Sequence, residues 1–325
     1  MAARQVKRID QGRALRRRRF LALGLGLFLV VDVVLVGIAL NTGRAPSGAA
    51  AEEPVPTAEG GTEPEAVVAP EPTPPAAAVL AVAPTRLLVA LTDRIAWRAT
   101  TGACPDTPAL PERTSDSGAT WEPTDATGPT DLRSIRSILV EGAEEASLVG
   151  QSPVNCEAMF VRTFVGGANY EEFADGLGDA WFVDPLNGAE LHSPSGNFTA
   201  PCATALALAA RDTSGAAVLC SDGTIYLTAD AATTWSAPVE IPGALTVTGS
   251  GDGYTVAVAG DESCDGVQLV GLSETADVDP LGCLPSGQTP ESLVGNVAVS
   301  VADDTMWLWA GDALVRSGDG GKTWF

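Results

Sequence analysis

The sequence predicts an all-β fold, a six-bladed β-propeller with an N-terminal strand closing the last blade, preceded by one transmembrane helix and a disordered linker. Three observations carry the prediction. Short apolar runs alternate with turn residues, an octapeptide frame recurs about every 41 residues, and one apolar run near the N-terminus is 21 residues long.

That apolar run, Phe20 to Leu40, contains one charged side chain, Asp32. At ~1.5 Å rise per residue it matches a hydrocarbon layer of about 30 Å. Arg16, Arg17, Arg18 and Arg19 stand directly before it and only Arg44 follows closely, a basic bias that keeps residues 1–19 as a cytoplasmic tail. The expectation is a single-pass plasma-membrane protein with its body outside. A cleaved signal peptide has a shorter apolar region of roughly 7–15 residues, and Arg17-Arg18-Arg19-Phe20-Leu21 also fits a twin-arginine export pattern. Both remain alternatives to the anchor.

Residues 41–78 are rich in Ala, Pro, Glu and Thr, with six Glu between Glu52 and Glu71. So little apolar surface cannot offset the entropy of ordering, and the segment reads as a disordered stalk.

From Val79 to Phe325 the pattern becomes one of strands. Leu87–Leu91, Ile138–Val140, Ala205–Ala209, Thr255–Ala259 and Val297–Val301 are strand-sized, and no segment sustains a helical period. Three segments share one frame: TSDSGATW from Thr114 to Trp121, TADAATTW from Thr228 to Trp235, and SGDGGKTW from Ser317 to Trp324. Ser or Thr stands first (Thr114, Thr228, Ser317), Asp third (Asp116, Asp230, Asp319), Gly or Ala fifth (Gly118, Ala232, Gly321), Thr seventh (Thr120, Thr234, Thr323) and Trp eighth (Trp121, Trp235, Trp324). Such an Asp closes a turn by accepting backbone N–H groups and such a Gly permits positive φ. The Trp buries a ring whose N–H seeks a carbonyl. Weaker copies start at Thr163, Ser193 and Ser273, giving intervals of 49, 30, 35, 45 and 44 residues. A period near 40 is that of a four-stranded propeller blade.

The frame resembles the Asp-box, or bacterial neuraminidase repeat, of sialidase-like β-propellers. The resemblance spans residues 79–325, firmly at three frames and loosely elsewhere. In that family the box lies between the third and fourth strands of a blade, which implies that the sixth blade lacks its outer strand, since the sequence reaches Phe325 one residue after the last frame. Residues 77–83 are a surplus apolar segment, expected to pair with the last blade and close the ring.

Six Cys follow the anchor, an even number in an oxidising compartment. Cys202 and Cys220 flank a predicted hairpin, Cys264 and Cys283 bracket the fifth frame, and Cys104 and Cys156 fall at loops of the first two blades. Sequential pairing is expected, although six Cys allow 15 connectivities.

Beyond residue 44 the chain carries 39 acidic against 10 basic side chains, which excludes nucleic acid as a partner of the main domain. With His192 as the single His, multi-imidazole metal sites are excluded. Asp252, Asp261, Glu262 and Asp265 lack calcium-loop spacing, and Gly321-Lys322-Thr323 belongs to the frame, not to a phosphate loop. No cofactor, metal or catalytic residue is assigned. Asn197-Phe198-Thr199 is a glycosylation sequon within a turn frame. The resemblance implies that a catalytic member would need three arginines, a Tyr–Glu pair and an Asp. Here the Arg-Ile-Pro motif is absent, Tyr170 is a frame aromatic, and Tyr226 and Tyr254 with Glu240 or Glu262 have no commending spacing. Non-catalytic relatives include photosystem II assembly factors and sorting-receptor ectodomains. The expected function is therefore a membrane-anchored, extracytoplasmic module that binds a protein or peptide of the cell envelope through the loops opposite the boxes. The alternative is a sialidase-like glycoside hydrolase or carbohydrate-binding lectin.

Overall fold

The computed structural model describes residues 81–325. The basic tail, the apolar segment 20–40, the stalk 41–78 and positions 77–80 of the surplus segment lie outside them. Among the described residues no helix is long and apolar enough to cross a membrane.

Six antiparallel sheets follow one another along the chain and form an all-β six-bladed propeller. Blade 1 is β1 (Arg86–Ala90), β2 (Ala96–Thr100), β3 (Glu112–Thr114) and β4 (Glu122–Pro123). A four-residue helix, α1 (Thr127–Thr130), leads into blade 2: β5 (Arg133–Val140), β6 (Ala146–Gln151), β7 (Ala158–Thr163) and β8 (Glu171–Glu172). A 3₁₀ turn over Ala174–Asp179 precedes blade 3, which has only β9 (Phe182–Val183), β10 (Glu190–Ser193) and β11 (Gly196–Thr199). Blade 4 is β12 (Ala205–Ala210), β13 (Ala216–Cys220), β14 (Thr224–Thr228) and β15 (Val239–Glu240). Blade 5 is β16 (Ala244–Ser250), β17 (Gly253–Ala259), β18 (Gly266–Leu272) and β19 (Val278–Pro285). After α2 (Pro290–Leu293), blade 6 has β20 (Val297–Ala302), β21 (Thr305–Ala310) and β22 (Ala313–Ser317).

The third blade departs from the pattern. Ser193 ends β10 and its hydroxyl donates to the Ala231 carbonyl at 2.8 Å, in the turn that follows β14. β10 therefore ends on the face that carries the octapeptide turns, here the frame face. Its antiparallel partner β9 runs away from that face. The inner strands β1, β5, β12, β16 and β20 each lie two antiparallel steps from a frame strand and run toward it. Blade 3 has thus lost its first strand, and β9, the equivalent of a second strand, stands at the channel in its place. The short interval of 30 residues between Thr163 and Ser193 is the sequence trace of that loss.

The core lies between blades, where facing apolar surfaces interdigitate. Trp97, Leu132, Ile135 and Leu148 fill the space between blades 1 and 2. Leu219, Ile225, Ile241 and Val256 join blades 4 and 5, and Leu269, Leu293, Val299 and Leu308 join blades 5 and 6. The 3₁₀ turn compensates for the missing strand by packing Leu177 and Ala180 with Val149 and Phe160 of blade 2.

The strand expected to close the ring, residues 77–83, lies mostly outside the described residues. Ala81–Ala83 form no strand, and the sixth sheet has three strands among the described residues. Among the described residues, blade 1 is joined to blade 6 by side chains and isolated hydrogen bonds. Leu88 and Ala96 pack with Ala298 and Trp307. The Thr85 N–H and hydroxyl both donate to Gly295 O at 2.8 Å, and the Ala90 N–H donates to Ser300 Oγ at 2.9 Å. Arg316 and Phe325 exchange two backbone hydrogen bonds of 3.0 Å.

The three disulfides pair sequentially, Cys104–Cys156, Cys202–Cys220 and Cys264–Cys283. The first joins the loops after β2 and β6 and so ties blade 1 to blade 2. Cys104–Cys156 and Cys202–Cys220 lie at strand ends away from the frames, whereas Cys283 meets the last frame, its N–H donating to Gly321 O at 3.1 Å.

Candidate functional site

The frame turns form one hydrogen-bond network three times over. In the first, the Thr120 hydroxyl and N–H donate to the two oxygens of Asp116 at 2.7 and 2.9 Å, and the Thr114 hydroxyl donates to Asp116 at 2.8 Å. Thr114 Oγ1 in turn accepts the Gly118 N–H at 3.0 Å. Asp230 and Asp319 accept the same pair of donors from Thr234 and Thr323 at the same 2.7 and 2.9 Å. Hydrogen bonds to the charged form lower a carboxylate pKa. Thr120 and Thr114 hold Asp116 at about 2, Thr323 and Ser317 hold Asp319 at about 2, and Thr234 holds Asp230 below the ordinary range. Every oxygen is thus committed to the turn, and the network is structural.

The fourth and fifth positions both adopt positive φ: Ser117 and Gly118, Ala231 and Ala232, Gly320 and Gly321. The fourth residue then reaches back to its own blade. The N–H groups of Ser117 and Ala231 donate to Arg94 O at 3.0 Å and Ser214 O at 2.9 Å. The weaker frame at Thr163 keeps this backbone without its Asp, since Gly166 donates to Glu144 O at 2.9 Å and Gly167 to Thr163 Oγ1 at 2.9 Å.

The tryptophans diverge. Trp324 donates to Cys283 O at 2.9 Å, on the eight-residue outer strand β19. Trp235 faces blade 3, whose outer strand has four residues, and its indole nitrogen is buried without a partner. Trp121 lies under the Arg98 guanidinium, 4.2 Å from the ring centroid.

A central channel of about 810 Å³ runs between the inner strands. Its walls are mostly small or apolar, including Ala90, Ala207, Ala209, Gly249, Ala298 and Ser300. Because β1 and β5 run toward the frame face, Arg86 and Arg136 near their starts lie at the opposite mouth, whereas Arg211, after β12, lies at the frame mouth. Arg136 holds Gln151 Oε1 through Nε at 2.9 Å and Nη2 at 2.6 Å. Gln151 donates onward to Cys156 O at 2.8 Å. Arg86 donates to Gly311 O and stacks on Trp309 at 4.5 Å. Burial lowers the pKa of both guanidinium groups.

Residues considered for glycoside chemistry are scattered. Tyr254 is buried and burial pushes its hydroxyl up to about 12. Tyr170, also raised to about 12, meets Thr124 Oγ1 at 2.8 Å. Neither Tyr226 nor Tyr254 lines the channel. Glu240 is on an outer strand and Glu262 in a loop of blade 5. His192 contacts Ala180 O at 2.8 Å and stacks on Phe182 at 4.9 Å, a packing role. Among the described residues no group of three or more His, Cys, Asp or Glu is arranged to hold a metal ion. Sequence reasoning missed the stacking of Arg86 and Arg98 on Trp309. The alternation Trp307-Leu308-Trp309 was its signal, since residues two apart share a strand face.

No protein-family model matches the chain, and no curated protein does. Solved structures that resemble it include YCF48 bound to D1 peptide, with 17% identity over 76% of this chain and 82% of that one and a TM-score of 0.28. YCF48 from Cyanidioschyzon merolae gives 17% identity over 77% and 85%, again with a TM-score of 0.28. A putative glycoside hydrolase from Parabacteroides distasonis covers 75% of this chain and 88% of its own at 9% identity, with a TM-score of 0.38. What these proteins bind or cleave is a property of those proteins.

Proposed function

We propose that the chain is a membrane-anchored, extracytoplasmic binding or assembly module of the cell envelope that engages a protein or peptide through the face opposite the frames. The observation that carries this reading is the asymmetry of the two faces. The frame face is made of short turns closed on themselves. The opposite face carries the β2–β3 and β6–β7 loops, which Cys104–Cys156 ties together, and the entry to blade 4, which Cys202–Cys220 holds. Loops held in place before binding lose less entropy when a partner arrives. The channel that opens between them has a volume in the range of ligand sites. Residues 20–40 supply the anchor in this reading and 41–78 the spacer.

A glycosidase reading asks for arginines converging on a Tyr–Glu pair. Arg86 and Arg136 stand at one mouth and Arg211 at the other, with Tyr226 and Tyr254 outside the channel lining. This distribution supports binding over hydrolysis.

The test places a photocrosslinking residue in the full-length protein on intact cells, at Thr101 on the opposite mouth or at Gly318 on the frame face. A discrete adduct from position 101 and none from 318 is expected. Adducts from the frame position alone, or hydrolysis of a fluorogenic sialoside by the purified chain, would overturn the reading. Loss of the anchor residues 20–40 should release the protein from the membrane fraction.

A further inference from the structure

The domain is strongly acidic, yet the arginines at one channel mouth have no acidic partner. Among the described residues, Arg98, Arg113, Arg133, Arg162 and Arg211 each have a carboxylate within 4.0 Å. Arg86, Arg136, Arg94 and Arg316 do not, although the chain beyond residue 44 has 39 acids. Of these four, Arg94 is exposed, Arg316 stands on the frame side donating to Asp93 O at 2.9 Å, and Arg86 and Arg136 line the channel. Asp312, an exposed acid, acts on Arg86 only from beyond ion-pair distance. Asp184 also lines the channel, but its Oδ1 is taken by the N–H groups of Leu186 and Asn187 at 2.8 and 3.0 Å. A half-buried cation without a counter-charge costs free energy that a structural role does not require.

Both side chains are held in place by neutral groups. Gln151 fixes Arg136 through Nε and Nη2, leaving Nη1 without a protein acceptor among the described residues. Gly311 O takes Nη1 of Arg86 while Trp309 covers one face, leaving Nε and Nη2 in the same position. The two sit on adjacent inner strands joined through Thr101. Its N–H donates to Thr85 O at 2.8 Å and its hydroxyl lies 3.3 Å from Ser134 Oγ, two residues before Arg136.

We propose that Arg86 and Arg136 form an anion-binding site at this mouth, taking a ligand-borne oxyanion, a carboxylate or a phosphate. A guanidinium fork suits either group because its parallel N–H donors match a pair of oxygens. The site deepens the binding-module reading and rests on it for the direction of approach.

The test is calorimetric titration of the full-length chain in neutral detergent with sodium phosphate and with sodium acetate, at constant ionic strength set by chloride. Saturable binding of one of the two, weakened at least tenfold in both Arg86→Gln and Arg136→Gln and retained in Arg94→Gln, is expected. Arg94 is an exposed arginine near the frame face and reports general cation attraction. The anion that binds more tightly assigns the chemical class. No saturable binding of either anion, or equal weakening in Arg94→Gln, overturns the site. Circular dichroism of each variant separates loss of the site from loss of the fold. If the Thr101 crosslink persists in Arg86→Gln and Arg136→Gln, the module stands and the anion site falls.

Discussion

Trp307 of the sixth blade and Trp121 of the first meet edge to face, their ring centroids 6.5 Å apart and their planes at 80°. Trp307 is fully buried and donates its indole N–H to Thr92 O at 3.1 Å, so the last blade reaches across the seam to the first. Arg98 extends the seam by stacking between Trp121 and Trp309, at 4.2 and 5.0 Å. Side-chain interlock thus holds the seam among the described residues. Trp307→Ala should therefore destabilise the domain by about 3–5 kcal/mol, the range for a buried aromatic. Urea unfolding is the measurement. A midpoint unchanged from that of the parent chain would show that the seam is not held by this residue.

The Cys104–Cys156 bridge spans 52 residues and links two blades, whereas Cys202–Cys220 spans 18. Loop-closure entropy grows slowly with length, so the longer bridge should contribute about 4 kcal/mol and the shorter about 3. The variants Cys104→Ser/Cys156→Ser and Cys202→Ser/Cys220→Ser should lose stability in that order. The reverse order in denaturant unfolding would mean that native-state packing around the cysteines outweighs the chain constraint.

The parts legible in the sequence were those with local causes. An Asp that closes a turn four residues long, a Gly with positive φ and a Cys at each end of a hairpin have local causes, so the frames, the blade period and the Cys202–Cys220 pair can be read directly, whereas Cys104–Cys156 joins two blades across 52 residues. The seam could not be read in this way. Arg86 and Arg98 meet Trp309 across more than two hundred residues, and nothing local marks them as neighbours. The lost strand of blade 3 left a shortened interval, but its consequence, a channel strand running the other way, follows only from Ser193 bonding to Ala231. The unpaired state of Arg136 was hidden for the same reason, because ion pairing depends on which acids the fold brings near.

In the second full frame, alanine occupies both positive-φ positions, Ala231 at 56° and Ala232 at 71°. Left-handed backbone costs an L-residue roughly 1–2 kcal/mol that glycine avoids, offset in part by the entropy glycine adds to the unfolded chain. Ala231→Gly should thus stabilise the protein by up to about 1 kcal/mol, a rise of roughly 2–4 °C in Tm for a domain of this size. Gly118→Ala should do the opposite, because an added Cβ would stand 3.1 Å from the Trp307 ring at a φ of +83°. Differential scanning calorimetry decides. A lower Tm for Ala231→Gly would mean that its methyl group packs more favourably than its backbone is strained.

Acid should unfold the frames in a defined window. Asp116 and Asp319 are held at about 2 by the hydroxyl and N–H donors of their turns, below the value of about 3.9 expected in an unfolded chain. The unfolded state therefore binds more protons than the folded state between those values. The stabilisation is fully present above pH ~4 and is lost as the pH falls through the folded values near 2. Asp116→Asn and Asp319→Asn should be less stable than the parent at pH 6, and their urea midpoints should converge with it near pH 2. Asp304→Asn removes one exposed charge outside the frames and controls for the acidic self-repulsion of the surface. If the frame variants track the parent in parallel at every pH, the carboxylates are not the proton-linked groups. The acid sensitivity of the domain would then arise from its overall charge.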